Sequence, residues 1–142
     1  MMRGISVQQL KWEQYQADFA ALSAIGQNAD GGVDRLAYTE ADQEAHGLLA
    51  QMAEAAGFEV KWDGAGNLWI TRRGTDDGHA DMPPLLLGSH MDSVPDGGKY
   101  DGLLGVMTAF HAMRLLDGMP QRRTVTLIVF RCEESSRFNC AT

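Results

Sequence analysis

Apolar residues recur near the start of the chain at intervals of three to five, at Leu10, Tyr15, Phe19, Leu22 and Ile25. This spacing predicts an amphipathic helix over about residues 6–25, ended by Gly26 and Asn28. Asp30-Gly31-Gly32 reads as a turn. Thr39 then caps a second helix, with Glu40 and Asp42 placing negative charge in its positive first turn. Leu48, Leu49, Met52, Ala56 and Phe58 mark its buried face, and Gly57 stops it. Residues 58–62 and 67–71 predict two strands of a hairpin across the tight Asp63-Gly64-Ala65-Gly66 connection. Residues 72–84 are polar and carry Gly and Pro, the composition of a surface loop. Leu85-Leu86-Leu87, between prolines and Gly88, predicts a short strand buried on both faces. Leu103, Val106, Met107, Phe110, Met113 and Leu116 give a helical period over residues 102–116, stopped by Gly118-Met119-Pro120. Residues 124–130 form a second buried strand. Strand, loop, helix, strand is a right-handed crossover unit, so the expected class is α/β, with a mixed, mainly parallel sheet flanked by helices.

At 142 residues and 44% hydrophobic composition, the chain is long enough for one core and too short for two ordinary domains. Its 12 basic and 19 acidic residues give a net charge of −7, so it lacks the basic face that nucleic acid requires. Cys132 and Cys140 suggest no disulfide framework, and a reducing cytoplasm is the expected setting. Residues 1–10 lack the apolar stretch of a signal peptide, and no run of about 18 apolar residues suggests a membrane span.

The chemistry lies in two loops. His90 ends the first predicted buried strand and offers an imidazole nitrogen to a divalent metal. Asp92 is placed to accept the other ring N–H and fix the tautomer. Asp101 closes the glycine-rich loop, where a carboxylate can bridge two cations, and Gly97, Gly98 and Gly102 let the backbone bring it beside His90. Glu133 and Glu134 leave the second buried strand on the same sheet edge, where ligand sites of open α/β sheets lie. Adjacent residues point in opposite directions, so one would bind metal and the other serve as base, in an order the pattern leaves open. Arg137 is placed to neutralise the pair. Without metal, repulsion among Asp101, Glu133 and Glu134 should raise the pKa of at least one. His46, His79 and His111 read as surface or packing residues, Met107 and Met113 as core, Trp12, Trp62 and Trp69 as packing, and Cys132 as a small buried side chain. The glycine-rich loop lacks the order and lysine of a phosphate-binding P-loop.

The motifs Gly32-Val33-Asp34-Arg35-Leu36, Tyr38-Thr39, Gly66-Asn67-Leu68, Gly88-Ser89-His90-Met91-Asp92-Ser93-Val94-Pro95, Gly97-Gly98-Lys99-Tyr100-Asp101-Gly102 and Glu133-Glu134-Ser135-Ser136-Arg137-Phe138 resemble the M20 family of dinuclear metallopeptidases and amidohydrolases. Pro95-x-Gly97-Gly98 and Ser136-Arg137-Phe138 look like its branch of N-carbamoyl-L-amino-acid hydrolases, beta-ureidopropionases and allantoate amidohydrolases. The resemblance implies that His90 ligates one metal, Asp101 bridges both, Glu134 ligates the other, Glu133 is the general base and Asp92 orients His90. It implies two divalent ions (zinc, manganese, cobalt or nickel), a small N-carbamoyl amino acid or ureide substrate, and a homodimer at full length. Family members also carry two further metal-binding histidines and a lid or dimerisation domain. Residues 1–142 are therefore expected to be the N-terminal portion of the catalytic domain. Alone, that portion should have little activity, an exposed apolar sheet edge and a tendency to self-associate. The alternatives are an inactive fragment that binds metal or a partner weakly, and an aminopeptidase or dipeptidase of the same family.

Overall fold

The computed structural model describes residues 12–76, 82–135 and 137–138. Helix α1 spans Trp12–Ala24, and the first residues of its predicted range lie outside those described. Its buried face carries Leu22 and a carboxylate, Asp18, which Arg114 reaches at 3.1 Å. Helix α2 spans Glu40–Ala55. The Thr39 hydroxyl caps it by accepting from the Asp42 N–H at 3.4 Å, and Gly57, at φ +80°, ends it. Strands β1 (Glu59–Trp62) and β2 (Leu68–Arg72) form the predicted antiparallel hairpin. Strand β3 spans Leu85–His90, helix α3 Leu103–Leu115 and strand β4 Val125–Phe130.

The four strands run in the order β1-β2-β4-β3. The sheet is mixed, as expected, but β3–β4 is its one parallel pair among the described residues, because the hairpin joins β4 antiparallel through β2. Alternate residues face the helices: Leu68, Ile70, Val125, Leu127 and Val129 share one core with Leu22, with Ala45 and Leu49 of α2, and with Leu103, Met107, Phe110 and Met113 of α3. Burying side chains of this size stabilises by roughly 1.5–3 kcal/mol each, so this face carries most of the folding energy.

Strand β4 is buried as predicted. Strand β3 is not: Leu85 is 47% and Leu86 53% exposed. It lies at the sheet edge, where one neighbouring strand is missing, and an apolar triplet looks the same in an edge strand as in a central one. Trp12 and Trp62 also depart from the packing expected of them and are exposed.

Candidate metal centre

Parallel pairing sets His90 opposite Phe130, so both chemical loops leave the same sheet edge. Arg35, 2% exposed, fixes the chain just after His90: its Nε donates to the Met91 carbonyl at 2.7 Å, and Nη1 to the carbonyls of Leu22 and Ile25 at 2.9 Å. Ser93 and Arg35 exchange two further hydrogen bonds, N–H to Oγ and N–H to carbonyl. Sequence patterning gave Arg35 no role. The available signal was a lone arginine in an apolar stretch, which needs acceptors when buried.

Asp92 is 1% exposed and meets His90 twice. His90 Nδ1 donates to the Asp92 main-chain carbonyl at 3.0 Å, and the carboxylate lies 3.6 Å from the same nitrogen. That carboxylate also accepts the N–H of Glu133 at 3.2 Å and of Glu134 at 3.0 Å. One buried charge thus ties the β4 exit to the β3 exit.

Asp101 reaches His90 through Gly102, which has φ +60° and ψ −53°. A Cβ at Gly102 would come within 2.5 Å of the His90 carbonyl oxygen and 2.7 Å of its ring, so only glycine fits this approach. Gly98, by contrast, has open space around it. His90 Nε2 is 4.0 Å from Asp101 Oδ1 and 3.6 Å from Glu133 Oε2. Donor atoms of His90, Asp101 and Glu134 all lie within 4.8 Å of one another. Bonds of about 2.0–2.2 Å to a tetrahedral ion put donors roughly 3.4 Å apart, so a small inward shift closes the site. One imidazole and two carboxylates suit a divalent transition metal, and the residues present fit the group.

The His90 pKa is raised to about 9, first by the Asp92 carboxylate, against the effect of burial, with Glu133 adding to it. The Glu134 carboxyl is pushed up, first by burial and then by the Asp101 charge. The repulsion expected among the carboxylates contributes to this shift, behind burial. The metal-free cluster therefore carries a proton on His90 that a ligand ion must displace.

Other side chains fall elsewhere. Arg137 donates Nη1 to the Ala37 carbonyl, in the segment before α2, at 2.6 Å. Cys132 is half-buried with φ +67° rather than a buried filler, since it forms the bend that aims the glutamates. His46 and His111 are buried packing residues, Met107 and Met113 are in the core, and His79 lies outside the described residues. Trp69 is partly buried and donates its indole N–H to Asp63 at 3.0 Å.

A mixed sheet that gathers a histidine and carboxylates at the carboxyl ends of parallel strands defines an α/β protein with a candidate metal site. No family model matches the chain. It is 35% identical over 119 residues to an N-carbamoyl-L-amino-acid amidohydrolase of Rhizobium meliloti, covering 82% of this chain and 28% of that protein. It is 36% identical over 120 residues to an allantoate amidohydrolase of Bacillus subtilis, again covering 82% and 28%. A solved hydantoinase/carbamoylase family amidase from Burkholderia ambifaria superposes with a TM-score of 0.87 at 34% identity, covering 93% of this chain and 32% of that one. By sequence and by fold the chain is similar to the stretch these proteins share with it. It spans about a third or less of their length.

Proposed function

We propose that these residues form the metal-binding half of an enzyme that hydrolyses linear amide or ureido C–N bonds, in N-carbamoyl amino acids or allantoate-like ureides. The observation that carries this reading is the convergence of His90, Asp101 and Glu134 donors within 4.8 Å at the sheet edge. His90, Asp101 and Glu134 would hold divalent metal, and the two oxygens of the Asp101 carboxylate would let it serve a second ion as well. Zinc, manganese, cobalt and nickel all suit the donor set. A bound ion supplies Lewis acidity, polarising the scissile carbonyl and making water a better nucleophile near neutral pH. Glu133, half-exposed and 3.6 Å from His90 Nε2, takes the proton from the attacking water and delivers it to the leaving nitrogen. Asp92 keeps both glutamates in register through their backbone amides.

Names of relatives support the substrate class: amidohydrolases of N-carbamoyl-L-amino acids and of allantoate. Among the described residues no helix is long and apolar enough to cross a membrane. A small diffusible substrate in the cytoplasm completes the reading, with assembly into dimers at full length.

A second reading, metal binding without turnover, is favoured by the donor count, since the described cluster holds three ligating residues. Calorimetric titration of the metal-free chain with zinc and then manganese, beside His90→Ala and Asp101→Ala, tests the site. Tight binding lost in both variants supports it, and no specific binding sinks it. Metal-dependent hydrolysis of an N-carbamoyl amino acid, abolished by Glu133→Gln, would remove the second reading. Turnover of dipeptides alone would move the substrate to peptides.

A further inference from the structure

Glu133 and Glu134 follow a strand end, where an extended chain would send them to opposite faces. What bends the chain there lies upstream. Arg131, the first residue after β4, donates its N–H to Asn67 Oδ1 at 2.8 Å. Its side chain, 9% exposed, donates Nε to Asp42 Oδ2 at 2.7 Å and Nη2 to Gln43 Oε1 at 2.8 Å. The guanidinium lies 4.7 Å over the Tyr38 ring. A Cβ at Gly66 would come within 3.2 Å of Arg131 Cδ and Nη1 and 3.7 Å of the Tyr38 ring, so the glycine leaves room for the side chain to lie there. Asp42, fully buried, also accepts the Tyr38 N–H at 2.8 Å and lies 3.0 Å from His46 Nδ1. Asn67 is in turn held by Asp63 through its side-chain amide at 2.9 Å. Tyr38 and Gly66-Asn67, which the metal centre leaves unused, converge on this one arginine.

We propose that Arg131 is a positioning residue for Glu133 and Glu134, locked by Asp42, Tyr38 and Asn67. The lock holds the β4 exit on one side of Cys132, whose φ of +67° reverses the chain, and Asp92 holds it on the other. A left-handed non-glycine residue persists only when its surroundings over-determine it, and two anchors flanking Cys132 do so. Arg131 touches none of the metal donors itself and acts through the backbone. This inference rests on the metal-centre reading for its consequence, but not for its geometry.

The test uses the full chain with Arg131→Met, Arg131→Lys and Asn67→Ala, and Lys61→Met as an exposed control. Two quantities are measured: backbone amide exchange at Glu133 and Glu134 against Leu127 and Val129, and zinc affinity by calorimetry. Arg131→Met is expected to speed exchange at both glutamates by about tenfold or more while the β4 amides change less than about twofold. Zinc affinity should fall by about tenfold or more, with Arg131→Lys, which keeps the charge but loses the fork, falling between. Asn67→Ala removes the acceptor of the Arg131 N–H, together with the Asn67 amide's bond to Asp63, and should repeat the exchange pattern. Equal acceleration of glutamate and β4 amides would overturn the inference, since Arg131 would then serve stability alone. So would exchange left unchanged at Glu133 and Glu134, or failure of all three variants to fold while Lys61→Met folds. A wild-type chain that shows the exchange pattern but binds no zinc would sink the metal-centre reading and leave the positioning role standing.

Discussion

Gly102→Ala is the sharpest probe of how the site is built. Gly102 sits at φ +60° and ψ −53°, with the Leu103 N–H donating to the Asp101 carbonyl across it. Holding an L-residue in such a conformation costs about 1–3 kcal/mol. The added methyl would also meet the His90 carbonyl at 2.5 Å and ring at 2.7 Å, and relieving that overlap between the end of β3 and the cap of α3 costs about 1–3 kcal/mol more. The combined loss, about 2–6 kcal/mol, is a large part of the roughly 5–15 kcal/mol available to a domain. With an unfolding entropy near 2.1 cal/mol/K per residue, a chain of this size loses about 3 °C of Tm per kcal/mol, so the expected drop is about 7–20 °C. Gly98→Ala, four positions earlier in the same loop, meets open space and should stay within about 0.5 kcal/mol of wild type. Thermal unfolding followed by circular dichroism reads both variants side by side. Indistinguishable melting of the two would refute the close approach of Gly102 to His90, and with it the account of how Asp101 reaches the cluster.

The Asp63 carboxylate accepts from Ala65 N, Asn67 N, Asn67 Nδ2 and the Trp69 indole, and these bonds, that of Trp69 first, lower its pKa from 3.8 to about 2. Its folded pKa lies below its unfolded one, so its contribution is complete above about pH 4 and is lost as pH falls toward 2. The Trp69 indole N–H resonance should lose its hydrogen-bonded shift over that window, and the same transition in Asp63→Asn would contradict the assignment. At the other side of the sheet, Leu85 and Leu86 leave an apolar edge open to pairing or burial. Sedimentation and hydrophobic-dye fluorescence should show self-association of the wild-type chain, reduced in Leu86→Lys. A monodisperse, dye-free wild-type monomer would count against it.

Elements whose signals are local were legible in the sequence. Thr39, Gly57 and the Asp63-Gly64 turn each act within a few residues of themselves, so α2 and the hairpin could be drawn from spacing alone. So could the placement of His90 and the glutamate pair, since strand ends on one sheet edge follow from the crossover. What failed was non-local. Whether Leu85-Leu86-Leu87 is covered depends on which strand lies at the edge, and the sheet order is not written in the triplet. Asp42 read as a helix-capping charge, yet its buried partner Arg131 lies 89 residues away. The bond of Arg137 to the Ala37 carbonyl and the use of the Asp92 carboxylate for two backbone amides likewise depend on where the chain turns after β4, and spacing does not show that.

The pairing of His90 with Phe130 also sets how this protein can change over time. Each residue advances a strand by about 3.3 Å and flips its side chain to the other face. Losing or gaining one residue inside β3 or β4 would carry the imidazole and the glutamates out of reach of each other while every chemical group survived. Along these two strands one apolar side chain can replace another of similar size, whereas the count of residues cannot change.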